Sequence, residues 1–108
     1  MRDPATTREP PPTGEGPSVT DWLCMWVDAD TARDLRARRE VGRAKYGTEL
    51  RAHNGRDALT DAYQEALDLC AYLAQANIET REHEVGALVY EAAEMCRTIR
   101  QMIEVRDA

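Results

Sequence analysis

The chain has 108 residues, which is enough for one domain with one modest hydrophobic core. Its formal charge of −6 argues against a general nucleic-acid-binding surface, so no stable nucleic-acid binding is expected. The sequence shows neither a membrane-length apolar run nor a signal-peptide pattern, which favours a soluble, cytoplasmic protein without membrane contact. The three cysteines are far apart and form no CxxC pair, which predicts buried thiols and not a disulfide framework or a zinc site.

Charge is distributed unevenly along the chain. Eight of the fourteen basic residues lie between Arg33 and Arg56, whereas eleven acids and four bases follow from Asp57 onward. A basic segment next to an acidic helix suits a site for a metal ion and phosphate. It equally suits two helices that attract each other, and the asymmetry alone leaves both interpretations open.

Residues 1–17 contain all five prolines and no aliphatic side chain larger than alanine after Met1. Nothing in such a segment offsets the entropy that is lost on ordering, so we expect a disordered tail. The remaining residues, 18–108, are expected to form a single helical domain.

Ser18 or Thr20 can cap a short helix over residues 19–27. Trp22 and Trp26 fall on one face of this helix with aliphatic neighbours. That spacing predicts a place in the core or in a subunit interface, and stacking on a nucleobase is the functional alternative.

The second helix is predicted to begin after a cap at Asp30 or Thr31 and to end at Tyr46, with Gly47 as its C-terminal glycine. It is rich in arginine and poor in apolar residues. A helix with so little to bury needs other partners, and the acidic helix that follows is the obvious one. Glu40 is the one acid in its second half and hence a candidate metal ligand.

The third helix follows the turn signal Asn54-Gly55, with Asp57 as its N-cap or first-turn acid. Apolar residues then recur at three- and four-residue steps until about Asn77, which is the helical period. We expect this helix to be the central element of the fold.

Three acids of the third helix, Asp61, Glu65 and Asp68, are spaced i, i+4 and i+7. They therefore line up on one side of the helix. Mg²⁺ prefers carboxylate oxygens and would remove their mutual repulsion while carrying a phosphate ligand. The alternative is that these acids form the solvated face of an amphipathic helix.

A last helix is predicted from about Glu82 to Val105, with a broad apolar stripe. Its ExxE pair, Glu91 and Glu94, lies away from that stripe and is interpreted as solvated. Because no strand pattern of period two occurs, the predicted fold is all-α: a helical bundle with a long antiparallel helix pair. The first two helices carry too few apolar side chains to close a core, so oligomerisation is expected to complete the bundle.

Two segments, RREVGRAKYGTELRAHNGRD and DAYQEALDLCAYL, resemble small bacteriophage and bacterial proteins of the MazG-like, all-α nucleotide pyrophosphohydrolase group. The resemblance covers roughly residues 34–75. It implies a helical, oligomeric enzyme that uses Mg²⁺ to cleave a nucleoside triphosphate into the monophosphate and pyrophosphate. The family's hallmark is an ExxE pair on one helix and an ExxD pair on the next, and Glu65 with Asp68 matches ExxD.

The ExxE half of the hallmark has no match, since Glu40 is followed three residues later by Arg43. Asp61, one turn before Glu65, is one candidate to replace the missing acids, and the pair Glu91 and Glu94 on the last helix is the other. A non-catalytic helical module of phage origin, which binds a nucleotide or a protein, is therefore the alternative to the enzyme.

The resemblance implies that Glu65 and Asp68 are catalytic and that they hold Mg²⁺ together with Glu40 and Asp61. Basic side chains would neutralise charge on the phosphates, and an aromatic ring would take the base. The residues expected in these substrate-binding roles are Arg43, Lys45, Arg56, Trp22 and Tyr72.

Overall fold

The computed structural model describes residues 2–108; Met1, the first residue of the predicted tail, lies outside the described residues. Within residues 2–108 the chain is all-helical and contains no strand, so the predicted all-α class is confirmed. The helices are α1 (Val19–Leu23), α2 (Ala29–Tyr46), α3 (Ala58–Thr80) and α4 (His83–Asp107).

Contacts divide the chain into two compact units. The hairpin unit consists of residues 2–9 and Asp57–Ala108, and therefore contains α3 and α4. The arginine-rich unit consists of Pro10–Arg56 and contains α1 and α2. The predicted tail is thus shared between the two units.

In the hairpin unit, α3 and α4 form the predicted antiparallel pair. The Arg106 guanidinium near the end of α4 donates two hydrogen bonds of 2.8 Å to the carboxylate of Asp57 at the start of α3. Side chains of both helices fill the space between them. Tyr63, Ala66, Cys96 and Ile103 are buried there, with Leu59, Leu67, Cys70 and Ile99 packed against them.

The ends of α3 follow local chemistry. Asp57 is the predicted N-cap, and its carboxylate accepts hydrogen bonds from the Thr60 backbone N–H at 3.2 Å and the Thr60 hydroxyl at 2.9 Å. The C-terminal end differs from the prediction, because α3 continues past Asn77 to Thr80. Arg81 ends the helix in the left-handed conformation (φ 57°), and its N–H donates to the Asn77 carbonyl.

Residues 2–9, which were expected to be disordered, are held in the hairpin unit by polar contacts. The Gln64 amide of α3 donates to the carbonyls of Pro4 at 3.1 Å and Thr7 at 2.7 Å. The Glu9 carboxylate pairs with Arg2 and accepts a hydrogen bond from the Asp57 N–H. The only apolar side chains of this segment are those of Pro4 and Ala5, so composition alone gave no sign of these contacts.

In the arginine-rich unit, α2 begins one or two residues before the predicted cap. Asp28 is the N-cap, accepting from the Thr31 N–H at 3.1 Å and the Thr31 hydroxyl at 2.6 Å. The predicted end is confirmed: the helix stops at Tyr46, and Gly47 adopts φ 77°. That conformation favours glycine because a Cβ atom would be strained there.

α1 is shorter than predicted and ends at Leu23 instead of residue 27. The chain continues in tight i→i+3 turns, in which the N–H of Met25 donates to Trp22 O and the N–H of Trp26 donates to Leu23 O. The indoles of Trp22 and Trp26 are 59% and 70% exposed, so they lie outside the core of the chain. Without packing, a short helix gains too little to extend further.

Residues 10–17 also make backbone contacts in this unit. The Thr13 N–H donates to Asn54 O at 2.8 Å, and the Ala52 N–H donates to Pro17 O at 2.9 Å. A Cβ atom on Gly16 would lie 1.7 Å from Ala52 O, so this approach requires glycine. The segment is thus fastened by backbone hydrogen bonds, which a proline-rich composition does not reveal.

All three cysteines are free, with Cys96 buried and Cys24 and Cys70 partly buried. Burial raises the pKa of the Cys96 thiol. No helix in residues 2–108 combines the length and apolar character that a membrane span requires.

Candidate functional site

The predicted acid row lies on α3 in the hairpin unit. Glu65 and Asp68 are exposed and Asp61 is partly buried. The carboxylates of Glu65 and Asp68 make no ion pair and no side-chain hydrogen bond within residues 2–108. Tyr72 follows Asp68 by four residues, so it lies on the same side of the helix, and it is 70% exposed. This side of α3 therefore presents two unpaired carboxylates beside an accessible phenol ring.

The Asp57 carboxylate, by contrast, is fully engaged in holding the hairpin together. The Arg106 guanidinium and the Thr60 hydrogen bonds hold the pKa of Asp57 well below its ordinary value of 3.8. Arg2 lies 3.9 Å from the same carboxylate. Asp57 is thus a structural acid, and it is not available as a further metal ligand.

Glu40 and Arg43 of α2 were expected to serve as metal ligand and phosphate-binding residue, but they contact each other in the arginine-rich unit. Nη1 of Arg43 lies 2.8 Å from Oε1 of Glu40. The other guanidinium nitrogen of Arg43 pairs with Glu49. Both charged side chains therefore have partners within their own unit.

Glu49 is the residue that sequence reasoning missed. Its side chain is 5% exposed, accepts a hydrogen bond from the Ser18 hydroxyl and pairs with Arg43, with Arg39 and Arg51 at 3.7 and 3.9 Å. The Ser18 hydroxyl and the Arg43 guanidinium lower the pKa of Glu49 to about 2. One signal was present in the sequence: Glu49 is the only acid between residues 41 and 56, among four bases.

The remaining predicted binding residues are all in the arginine-rich unit except Tyr72. Lys45 lies with Nζ 5.2 Å from the centroid of the Tyr46 ring. Nη1 of Arg56 donates to the Pro10 carbonyl at 2.8 Å. Trp22 is paired with Trp26 at 5.7 Å between ring centroids. Each of these contacts involves a different neighbour: Tyr46, Pro10 and Trp26.

No group of three or more His, Cys, Asp or Glu side chains suited to a metal ion occurs in residues 2–108. Mg²⁺ is often held by one or two carboxylates, with water and substrate phosphates completing its shell. Glu65 and Asp68 fit this smaller donor set. A four-carboxylate site is not formed by the predicted ligands within either unit, since Glu40 belongs to one unit and the acids of α3 to the other.

Comparison of the chain with protein-family models, curated proteins and solved structures finds no match. The resemblance to the MazG-like group therefore stays a prediction from the sequence.

Proposed function

We propose that the protein is a Mg²⁺-dependent nucleoside triphosphate pyrophosphohydrolase, which releases the monophosphate and pyrophosphate. The observation that supports it most directly is the pair of exposed carboxylates on α3, Glu65 and Asp68, which have no partner among the described side chains. Acids that serve the fold, such as Asp57 and Glu49, are instead bound to arginines. Unpaired acids one turn apart are what a metal ligand pair requires.

Glu65 and Asp68 would hold the ion, with Asp61 one turn earlier on the same side. When bound, Mg²⁺ supplies charge neutralisation at the phosphates and a lowered pKa for an attacking water. The exposed ring of Tyr72 would stack on the base. The proposal includes a homo-oligomer and a cytoplasmic location, where nucleoside triphosphates and Mg²⁺ are found together.

The test is pyrophosphate release from a panel of ribo- and deoxyribonucleoside triphosphates, with Mg²⁺ and with EDTA. We expect metal-dependent release that falls by at least about a hundredfold in Glu65→Gln, because a catalytic ligand is lost. Glu79→Gln is the matched control: it is an exposed acid on the same helix, about 21 Å away along the axis. Release that survives in both variants would remove the proposal.

A second candidate is a non-catalytic helical module that binds a nucleotide or a protein. It is favoured by the pairing of Glu40 with Arg43 and of Arg43 with Glu49, which occupies two residues of the predicted site. It predicts no pyrophosphate release from any triphosphate in the panel, with or without Mg²⁺. Release that depends on Glu65 would exclude it.

A further inference from the structure

An apolar stripe lies exposed on the α3–α4 hairpin. It consists of Leu69 on α3 with Leu88, Met95 and Met102 on α4, and these side chains are 47%, 46%, 52% and 54% exposed. The three residues of α4 are spaced by seven, which repeats every two helical turns and keeps them on one side of the helix.

The antiparallel register brings both helices' contributions onto the same face of the hairpin. Asp57 binds Arg106, and the Asn77 amide lies next to Gly86. The two residue numbers add up to 163 in both pairs. Any residue of α3 therefore lies at the same level along the helix axes as the residue of α4 that brings the sum to about 163. Leu69 is therefore level with Met95. At 100° per residue, both side chains point to the same side of the plane that contains the two helix axes.

Small residues continue the stripe on α3. By the same register Ala62 is level with Met102, and Ala76 is level with Leu88. The three levels span about 21 Å along the helix axes, which is the length of four turns of a helix. Alanines beside long, flexible side chains allow another helix to approach closely.

Acids border the stripe on both sides. Glu65 lies next to it on α3, and Glu84 and Glu91 lie next to it on α4, all exposed. None of the three makes an ion pair within residues 2–108. The basic side chain one turn beyond Met102, Arg106, is paired with Asp57 at 2.8 Å.

The negative charge of the bordering acids determines which kind of partner can bind this face. From Asp57 onward the chain carries eleven acids and four bases, so a second copy of this face would bring acids against acids. A helix with an apolar stripe and lysine or arginine flanks would instead satisfy both features. Methionines suit such a surface because their flexible side chains adapt to a partner.

We propose that this face of the α3–α4 hairpin binds a basic amphipathic helix of a partner protein, with the partner's apolar residues over Leu69, Met95 and Met102 and its cations against Glu65, Glu84 and Glu91. The assignment rests on the stripe and its border and requires neither metal nor nucleotide, but it shares Glu65 with the proposed metal pair, so a bound partner and Mg²⁺ would compete for that carboxylate.

The probe is a fluorescent synthetic helix of about 18 leucine and lysine residues, with leucine at helical spacing. Binding to the full chain is followed by anisotropy at about 0.15 M salt. We expect Met95→Asp and Leu69→Asp to weaken binding by at least about tenfold. Each adds a negative charge, which by itself would strengthen attraction to lysine, so a loss reports the apolar contact.

Ile78→Asp is the matched control, since Ile78 is 75% exposed on α3 but lies on the other side of the hairpin. It should bind the peptide as the unaltered chain does, and circular dichroism should give equal helix content for all variants. The proposal is overturned if the peptide does not bind, if a scrambled peptide of equal composition binds as well, or if Met95→Asp and Ile78→Asp behave alike. It is also overturned if Met95→Asp only dissociates a dimer of the chain.

Discussion

At the scale of single residues, a nearly buried carboxylate organises the arginine-rich unit. The Glu49 carboxylate accepts a hydrogen bond from the Ser18 hydroxyl and pairs with the Arg43 guanidinium. The guanidinium groups of Arg39 and Arg51 lie within 4 Å of the same carboxylate. A charge so little exposed is tolerated because its oxygens are paired. Three arginines from α2 and the following loop would otherwise repel one another.

This arrangement predicts a specific dependence of stability on pH. The folded-state pKa of Glu49 is about 2 and its ordinary value is 4.5, so the native state binds the proton more weakly than the unfolded state does. The stabilisation is present above pH 4.5 and is lost as pH falls towards 2. Denaturant unfolding at several pH values should show Glu49→Gln to be destabilised at neutral pH and less sensitive to acid in this range.

The control is Glu84→Gln, which removes an exposed acid without a partner in residues 2–108. It should keep the pH profile of the unaltered chain, including the loss that Asp57 contributes below its ordinary pKa. If Glu49→Gln also kept the full acid sensitivity, the ion pairs around Glu49 would not be the cause.

At the scale of elements, α2 offers two glycines with opposite roles. Gly42 lies inside the helix with open space around its Cβ position, whereas Gly47 ends the helix at φ 77°. Alanine at residue 42 lowers the entropy of the unfolded chain and suits a helix, whereas alanine at residue 47 is strained.

We therefore expect Gly42→Ala to stabilise the protein by about 0.5–1 kcal/mol and Gly47→Ala to destabilise it by about 1 kcal/mol. Urea unfolding of both variants, monitored by circular dichroism, measures the two changes. Equal effects of the same sign would contradict the assignment of the helix end at Tyr46.

At the scale of the whole molecule, several large apolar side chains are exposed at the surface instead of packed in the small core. In the arginine-rich unit, Trp22, Met25 and Trp26 are 59%, 71% and 70% exposed. Large aromatic residues that are exposed together mark an interface in many proteins. The proposed homo-oligomer would use this surface, which is distinct from the acid-bordered stripe of the hairpin.

Sedimentation equilibrium tests this proposal. The double variant Trp22→Ser/Trp26→Ser should sediment with a lower mass than the unaltered chain, because the aromatic contact is removed. Tyr46→Ser is the control, since Tyr46 is 72% exposed in the same unit but stands at the end of α2. An unaltered chain that is monomeric at all concentrations would exclude the oligomer.

The helices and most of their ends could be predicted because they depend on interactions within one turn. Asp57 as an N-cap and Gly47 as a C-terminal glycine both follow from local backbone geometry. The acid row of α3 likewise needs only the helical repeat. The prediction that α1 ends at residue 27 was wrong, because periodicity does not report whether Trp26 packs against the core.

By itself, then, the sequence determined the all-α class, the antiparallel hairpin and the placement of Glu65 and Asp68 on one side of a helix. Only the tertiary structure decided which charged side chains form ion pairs that stabilise the fold. Glu49 is bound by Ser18, 31 residues away, and Asp57 by Arg106, 49 residues away. Such pairs depend on how the chain returns on itself, and the physical reason they escape the sequence is that charge attraction depends on distance in space and not on separation along the chain.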